Sequence, residues 1–409
     1  MHILIKKTDV NPSSDLIISG SKSESNRCLL LKSIFNNLTI KNLSDSDDTL
    51  IMKNALSSKN SLIDIHNAGT AMRFLTAYFA TKVGKKTMIT GTSRMKERPI
   101  NVLVNAINEL GGKISYIEKY GFPPLHIEGQ EIVKNEVFLK ANVSSQYISA
   151  LLMIAPSLKN GMIINLEGSI TSLSYIKMTL ALLNQVGIRT NFKSNKIKVF
   201  PYQGGNSKTL IVESDWSSAS YFYSIVSLSP VGTQINISSY NKNSLQGDSI
   251  LKDIYNELGV KSEFNNSVLT LKKVSNKLPE ALNLDLSNSP DIAQTIVVSC
   301  LGLKINCALF GLNTLKIKET DRLIALKNEI KKLGTNIKIT EDSLELKLPK
   351  TIKQNIKIHT YGDHRMAMSF APLGLKTDIC IRDANVVSKS YPNFWDDLKK
   401  IGLNLTIQK

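Results

Sequence analysis

The most regular feature of the chain is a repeated order of a β-rich stretch, a turn of small polar residues and an apolar helix. Each helix is expected to begin at a Ser, Asn or Asp, whose side chain can cap the free N–H groups of the first turn. Six imperfect repeats indicate two groups of three similar units. The six predicted helix starts are Ser21, Asn67, Ser144, Ser217, Asp291 and Asp363.

Helices with one apolar face are predicted between these starts. One has apolar residues from Leu323 to Leu333 and ends before Gly334, and another runs from Leu103 to Leu110 before Gly111. Each is followed by a strand-like run, at 336–340 and 113–117. Alternating strands and helices predict an α/β fold.

Composition limits the class of protein. With 409 residues, of which 42% are apolar, the chain is long enough for two domains with separate cores. A net charge of +17 raises nucleic acid as a partner, but aromatic residues are only 6% of the chain and no nucleic-acid reader motif is present. The sequence therefore does not favour nucleic-acid binding.

Cysteine spacing and the lack of long apolar segments favour a reducing, aqueous compartment. The four cysteines have no Cys-x-x-Cys spacing, which favours buried thiols over a disulfide framework or a metal site. The N-terminus has no apolar leader, and nowhere do 18 apolar residues run together. We expect a soluble cytoplasmic protein without a metal or cofactor.

Arginine is placed unevenly along the chain. Only eight of the 51 basic residues are arginine. A guanidinium offers a planar fork of donors for carboxylate or phosphate, and free N–H groups at helix starts also favour anions. The serine-rich start with Lys22 and Arg27 suits a phosphate but lacks the P-loop pattern. Six arginines fall in five short segments, at 21–27, 67–73, 94–98, 318–322 and 361–365.

These segments and their neighbours resemble the 5-enolpyruvylshikimate-3-phosphate synthase family of enolpyruvyl transferases. The similarity covers nearly the whole chain, in order. It is carried by SGSKSESNRCLLL from Ser19, NAGTAMR from Asn67, GTSRMKERPI from Gly91, SSQYISALLM from Ser144, SDWSSASYF from Ser214, PDIAQT from Pro290, KIKETDRL from Lys316, YGDHRMAM from Tyr361 and KSYPNFW from Lys389.

The resemblance implies a fold and a reaction. The fold would be an α/β architecture of two domains, each with three βαβαββ-type units whose helices converge on an inter-domain cleft. One domain would be discontinuous, 1–20 with 214–409, and 21–213 would be inserted. The reaction would transfer the enolpyruvyl group of phosphoenolpyruvate to the 5-hydroxyl of shikimate 3-phosphate and release phosphate. We expect a monomer that uses no cofactor.

The resemblance also implies site residues. Lys22 would face both substrates, and Asp291, Glu319 and Lys22 are the candidates for proton transfer, with the division of roles left open. Shikimate 3-phosphate would be bound by Lys22, Ser23, Arg27, Ser144, Ser145, Gln146, Ser172, Asp291, Thr314 and Lys318. Phosphoenolpyruvate would be bound by Lys22, Gly69, Arg94, Gln146, Arg322, Arg365 and Lys389.

Other residues receive simpler interpretations. Arg73 and Arg98 are either scaffolding that pairs with carboxylates such as Glu97 or ligand contacts, and His364 is expected to pack rather than bind metal. Phe74 stands where the family usually has proline, which predicts an altered start of that helix. Thr314 stands where some members have asparagine.

A related enzyme class is the nearest alternative. The UDP-N-acetylglucosamine enolpyruvyl transferases share the fold but carry a cysteine in the loop that corresponds to 91–99. No cysteine lies between Cys28 and Cys300 here. A basic nucleic-acid-binding protein is the alternative from another class, and the intact acid and base candidates argue against it.

Overall fold

The computed structural model describes residues 1–141, 144–347 and 351–408. The chain divides into two compact units, a discontinuous unit of Met1–Gly20 with Glu213–Lys409 and an inserted unit of Ser21–Val212. Gly20 and Ser214 form an antiparallel bridge where the chain leaves and re-enters the discontinuous unit.

Strands and helices alternate throughout the described residues. The strands are β1 (His2–Lys6), β2 (Ser13–Ile17), β3 (Leu38–Lys41), β4 (Leu62–Asp64), β5 (Lys86–Thr90), β6 (Lys113–Tyr116), β7 (Leu125–Glu128), β8 (Glu136–Lys140), β9 (Met162–Glu167), β10 (Thr190–Lys193), β11 (Lys196–Val199), β12 (Lys208–Ile211), β13 (Gln234–Ser238), β14 (Val260–Asn265), β15 (Val268–Lys273), β16 (Ala281–Asp285), β17 (Asn306–Phe310), β18 (Ile337–Ile339), β19 (Leu344–Leu346), β20 (Ile356–Ile358), β21 (Ile379–Ile381) and β22 (Asn404–Gln408). The helices are α1 (Lys22–Ile34), α2 (Asp47–Ser57), α3 (Gly69–Ala80), α4 (Ser93–Lys96), α5 (Asn101–Glu109), α6 (Ser145–Ile154), α7 (Leu173–Gln185), α8 (Trp216–Leu228), α9 (Leu251–Glu257), α10 (Ala293–Leu303), α11 (Arg322–Lys332), α12 (His364–Phe370) and α13 (Phe394–Lys400).

The four-stranded sheets repeat one arrangement of strands. One parallel pair is followed by two antiparallel pairs, as in β16-β17-β19-β18 of the discontinuous unit and β4-β5-β7-β6 of the inserted unit. Within the described residues, the discontinuous unit has three such sheets, and the inserted unit has two together with the parallel pair β12 and β3. The predicted α/β class with two groups of three units is confirmed.

The N-terminal strand explains why the first 20 residues belong with the second half of the chain. Strand β1 lies between β21 and β22, with Ile3 opposite both Ile381 and Ile407. Ile3 and Ile5 are fully buried. Removing this strand from its sheet would expose apolar surface and leave two strand edges unpaired.

Glu213 falls in the discontinuous unit, one residue away from the boundary that the resemblance implied. Its carboxylate accepts hydrogen bonds from Nε1 of Trp216 at 2.9 Å and from the backbone N of Asn241 at 2.8 Å. Burial raises the pKa of Glu213, although the hydrogen bonds that it accepts act in the opposite direction. These bonds tie the residue to the start of α8 and to the segment that follows β13.

Largely buried helices form the centre of each unit: α3, α6, α8, α10 and α12 are nearly fully buried, whereas α1 is buried only from Glu24 to Leu31. Helices α1, α3 and α6 pack together in the inserted unit, and α10 packs against α8 and α12 in the discontinuous unit. A helix that is apolar on all sides must be covered by others. Packed helices therefore form the centre of the core in both units.

The helix starts lie within a few residues of the predicted positions. Ser144 and Asp363 directly precede α6 and α12, and each side chain accepts a backbone N–H of the first turn. Ser217 instead lies inside α8, because Asp215 accepts the backbone N–H of Ser218 and is the cap. Ser21 precedes α1, Asn67 lies two residues before α3, and Asp291 lies in a 3-10 turn, Pro290–Ile292, before α10.

The one-faced helices and their following strands are confirmed. Helix α11 ends before Gly334 and is followed by β18, and α5 ends before Gly111 and is followed by β6. Both glycines have positive φ, of 98° and 106°. Glycine adopts this conformation without a steric penalty, so both residues suit the turn that ends each helix.

The predictions on cysteines and membrane segments can also be compared with the structure. All four cysteines are buried free thiols. Burial raises the pKa of Cys28 to about 12. Among the residues described, no helix has the length and apolar character needed to span a bilayer.

A close backbone approach at Gly129 yields a stability prediction. A Cβ there would lie 1.8 Å from the carbonyl oxygen of Lys82, just after α3. Gly129→Ala is expected to lower the free energy of unfolding by about 2 kcal/mol, because backbone must shift to admit the methyl group. Urea unfolding followed by circular dichroism measures this.

Gly205→Ala is the matched control in the same unit. Its Cβ would meet only the hydroxyl of Tyr202, at 3.3 Å. This variant should unfold at the wild-type urea concentration. Equal unfolding midpoints for the two variants would contradict the close approach at Gly129.

Candidate active site

A buried arginine organises the charged cluster of the discontinuous unit. Arg322, the first residue of α11, makes four hydrogen bonds to three carboxylates. Nε donates to Asp363 at 2.7 Å, Nη1 to Asp291 at 2.8 Å and Nη2 to Glu319 at 3.0 Å. The guanidinium fork thus sets the relative positions of carboxylates that are far apart in sequence.

The electrostatic balance keeps Arg322 charged. Burial lowers the pKa of Arg322, but Asp363, Glu319 and Asp291 outweigh this effect and the net pKa is raised above its ordinary value. Arg322 was expected to bind phosphoenolpyruvate. In this structure its Nε, Nη1 and Nη2 donate to carboxylates, so Arg322 also positions Asp291, Glu319 and Asp363.

The two proton-transfer candidates of this unit each lie among cations. Asp291 has Nζ of Lys318 at 3.4 Å and Nη2 of Arg365 at 3.6 Å, in addition to Arg322. Glu319 has Nζ of Lys389 at 3.6 Å from Oε1. The structure therefore brings together Asp291, Glu319, Lys318, Arg322, Arg365 and Lys389.

Asp363 links the cluster to α12. It accepts from Arg322 and also from the backbone N of Arg365, at 2.8 Å, where it caps the helix. Asp363 is fully buried. One carboxylate thus sets both the Arg322 side chain and the helix start that carries Arg365.

Thr314 lies close to this cluster in sequence, in the 3-10 segment Asn313–Ile317. Its hydroxyl is buried and has no hydrogen-bond partner among the described residues. A buried unpaired hydroxyl is unfavourable unless a ligand or water satisfies it. This observation is compatible with the ligand contact expected at Thr314.

Arg27 is the corresponding buried arginine of the inserted unit. Nε donates to Oγ1 of Thr179 at 2.8 Å, Nη2 to Oγ of Ser149 at 3.1 Å and Nη1 to the carbonyl oxygen of Ser23 at 2.8 Å. Burial lowers the pKa of Arg27 to about 10, against the raising effect of Tyr175. The hydroxyl partners Ser149 and Thr179 fix its direction.

Phe74 stacks on this guanidinium. The guanidinium carbon of Arg27 lies 5.3 Å from the ring centre of Phe74 and 5.7 Å from that of Tyr175. Helix α3 begins at Gly69 and runs through Phe74 to Ala80 without a break. In place of a proline, the chain therefore has an aromatic ring beneath Arg27.

Lys22 is held by a carboxylate that sequence reasoning did not single out. Its Nζ lies 3.1 Å from Oδ2 of Asp48 in α2. The side chain of Asp48 is 5% exposed, so the pair is largely shielded from water. The amine of the first residue of α1 is thereby directed toward α2.

Gly69 lies beside Arg98 rather than Arg94. A Cβ on Gly69 would be 2.6 Å from Nη1 of Arg98. Arg98 is buried, whereas the side chain of Arg94 is 40% exposed and pairs with Glu97 at 2.9 Å. Only glycine leaves room for this guanidinium against the helix start.

Arg73 has a structural role, but it binds backbone carbonyl oxygens and not the carboxylate that was expected. It donates to the carbonyl oxygens of Gly69, at 3.2 Å, and of Pro99, at 3.0 Å. Tyr147 of α6 donates to the same Pro99 oxygen at 2.5 Å. Arg73 thus joins the start of α3 to the segment that follows Arg98.

The serine-rich start of α6 faces the start of α3. Ser144 caps α6 by accepting from the backbone N of Gln146 at 3.4 Å, and Nε2 of Gln146 donates to Oγ1 of Thr70 at 3.2 Å. Ser145 is buried in the first turn, and Ser172, also buried, directly precedes α7. The predicted residues of this unit therefore cluster at the starts of its helices.

The part of the chain that the structure describes contains no group of three or more side chains arranged as metal ligands. His364 is buried and its Nδ1 lies 3.7 Å from Asp363. The contributors that sequence reasoning did not assign to the site are hydroxyls and carboxylates that bind Lys22, Arg27 or Arg322. They are Asp48, Ser149, Thr179 and Asp363.

Known proteins match this chain over most of its length. The family model described as EPSP synthase (3-phosphoshikimate 1-carboxyvinyltransferase) matches residues 53–398. A 3-phosphoshikimate 1-carboxyvinyltransferase of Bacteroides fragilis is 47% identical over 395 residues, 95% of each chain. Its counterpart from Sulfurovum sp. is 36% identical, over 94% of this chain and 95% of that protein.

Solved structures share the fold at low sequence identity. The EPSP synthase of Acinetobacter baumannii superposes with a TM-score of 0.79 at 19% identity and covers 100% of both chains. The enolpyruvyl transferase NikO of Streptomyces tendae has a TM-score of 0.76 at 11% identity, over 99% of this chain and 98% of that one. With a family model that spans most of its length and relatives aligned almost end to end, the chain belongs to the EPSP synthase (3-phosphoshikimate 1-carboxyvinyltransferase) family.

Proposed function

We propose that this enzyme transfers the enolpyruvyl group of phosphoenolpyruvate to the 5-hydroxyl of shikimate 3-phosphate and releases phosphate. The observation that carries the proposal is the pair Asp291 and Glu319, both bound to Arg322, with Lys318, Arg365 and Lys389 around them. Two carboxylates supply a base and an acid, and the remaining cations suit anionic substrates.

The positive side chains of the candidate site balance the negative charge of the substrates. Each substrate carries a carboxylate and a phosphate, so four anionic groups must be brought together. Positive side chains offset this repulsion and orient the reacting atoms. We assign phosphoenolpyruvate to Lys22, Gly69, Arg94, Gln146, Arg322, Arg365 and Lys389, and shikimate 3-phosphate to Lys22, Ser23, Arg27, Ser144, Ser145, Gln146, Ser172, Asp291, Thr314 and Lys318.

The position of Arg98 beside Gly69 adds a residue to this assignment. Gly69 is assigned to phosphoenolpyruvate, and the guanidinium next to it belongs to Arg98. A planar fork at this point can bind carboxylate or phosphate in a bidentate manner. We therefore propose Arg98 as a stronger candidate than Arg94 for this contact.

The reaction requires three proton transfers, two in the addition step and one in the elimination step. Asp291 accepts the proton of the 5-hydroxyl as its oxygen attacks the central carbon of phosphoenolpyruvate, while an acid protonates the methylene carbon. Phosphate then leaves, and the methyl group returns a proton to restore the double bond. We assign proton transfer to and from the carbon to Glu319, with Lys22 as the alternative. The ammonium group of Lys389 lies 3.6 Å from Glu319 and stabilises its carboxylate after the proton has been given up.

The remaining assignments concern the cellular compartment, the oligomeric state and macromolecular partners. We propose that the enzyme acts in the cytoplasm as a monomer, without nucleic acid as a partner. All four thiols are buried and free, which suits a reducing compartment. The scattered lysines account for the net charge without a nucleic-acid site.

An activity assay tests the function directly. Purified protein should release inorganic phosphate from phosphoenolpyruvate only when shikimate 3-phosphate is present. UDP-N-acetylglucosamine in its place should give no turnover. Release with the nucleotide sugar alone, or with neither acceptor preferred, would reject the assignment.

A pair of arginine variants tests the contact beside Gly69. Arg98→Lys keeps the charge but loses the fork, so the KM for phosphoenolpyruvate should rise about 10-fold. If Arg98 rather than Arg94 makes this contact, Arg94→Lys, at a 40% exposed ion pair, should change KM by less than about 2-fold. Initial rates of phosphate release provide both values, and a larger effect of Arg94→Lys would reverse the assignment.

A further inference from the structure

Asp248 is a buried carboxylate one hydroxyl group away from Arg365. It lies in the 3-10 turn Gly247–Ile250 and is 6% exposed. The hydroxyl of Ser217 donates to Oδ2 of Asp248, and Nη2 of Arg365 donates to Oγ of Ser217 at 3.2 Å. A short path of hydrogen bonds thus leads from a buried carboxylate to a cation of the candidate site.

The direction of these bonds is fixed by the chemistry of serine. A hydroxyl has one hydrogen, and Ser217 gives it to Asp248. Its lone pairs therefore remain for Arg365. Because the hydroxyl is polarised by an anion, it is also a better acceptor for the guanidinium.

The turn that carries Asp248 is anchored on two sides. Oε1 of Gln246 accepts the backbone N of Trp216, at 2.9 Å, at the start of α8. The carbonyl oxygen of Gly247 accepts from Oγ of Ser289, at 3.1 Å, just before the turn that contains the catalytic candidate. Asp248 is thereby held in register with both Ser217 and the segment that carries the base.

We propose that Asp248 is a positioning residue for phosphoenolpyruvate binding, which fixes the direction of the Arg365 guanidinium through the hydroxyl of Ser217. The inference rests on the proposed function, since it takes Arg365 to bind phosphoenolpyruvate. Nη2 of Arg365 is directed by Ser217 and lies 3.6 Å from Asp291. A planar group held in this way presents its other donors in a defined direction.

The negative charge of Asp248, taken alone, would change the KM for phosphoenolpyruvate in the direction opposite to its positioning role. Burial raises the pKa of Asp248 to about 6, with Arg365 lowering it and Asp291 raising it, so the group is mainly anionic at neutral pH. An anion near the site repels an anionic substrate. If charge alone mattered, removing the carboxylate would lower the KM for phosphoenolpyruvate, whereas loss of positioning raises it.

Steady-state kinetics of single and double variants test the proposal. Asp248→Ala and Ser217→Ala should each raise the KM for phosphoenolpyruvate about 10-fold, with the KM for shikimate 3-phosphate within about 2-fold of wild type. The double variant should be no worse than the single ones, because both substitutions interrupt one path. Asp248→Asn keeps an oxygen that can accept from Ser217 and should restore most of the affinity.

Asp253→Asn is the matched control, since Asp253 is an exposed carboxylate in the following helix. It should leave both KM values unchanged. If Asp248→Ala does not fold, Ser217→Ala decides alone, because it makes no change in charge at a half-buried position.

The outcomes separate the inference from the function. Wild-type protein without phosphate release in the presence of both substrates would refute the proposed function. If the wild-type protein is active, three results would each refute only the role of Asp248. They are an unchanged or lowered KM for phosphoenolpyruvate in Asp248→Ala and Ser217→Ala, additive effects in the double variant, and equal rises in the KM values for both substrates.

Discussion

The buried guanidinium of Arg322 is the interaction on which the charged cluster of the discontinuous unit depends. It is 2% exposed and contacts carboxylates from three separate segments. Burying an arginine is costly unless its donors are satisfied. Three carboxylates meet that requirement, and two of them, Asp291 and Glu319, are the residues that we propose for proton transfer. The carboxylates that neutralise the buried guanidinium are thus also the proposed catalytic groups.

The arginines of the two units have several roles rather than one. Arg27 is fixed by hydroxyls and two aromatic rings, and Arg73 binds backbone carbonyls. Arg322 holds carboxylates. Their shared property is the planar fork, which can be directed by several partners at once. Lysine has a compact charge without this fork, which explains why arginine recurs at these positions in a chain otherwise rich in lysine.

Much of the fold was predictable from local pattern. The repeats, the polar helix caps and the glycines after α5 and α11 follow from preferences of single residues. The start of α8 was misplaced because Asp215 and Ser217 are both good caps, and only the structure decides between them. Local signals identify a helix start to within a few residues.

The site was less accessible to sequence reasoning, and the reason is the distance along the chain between partners. Asp291 and Glu319 came from family resemblance, but the contact of Arg322 with Asp363, 41 residues away, is a tertiary feature. Arg94 and Arg98 flank the end of one short helix. The Thr92 cap and the path of α4 decide which of them reaches Gly69, and no local pattern encodes that choice.

The most direct measurement of the central claim is the single-turnover rate of Arg322→Lys at saturating substrates, with the dissociation constant of shikimate 3-phosphate as a check on folding. Lysine keeps the charge but cannot hold three carboxylates in fixed directions. The account predicts a chemical step slower by about 100-fold with shikimate 3-phosphate binding largely retained. A rate within about 3-fold of wild type would contradict it, because Asp291 and Glu319 would then be positioned without the fork.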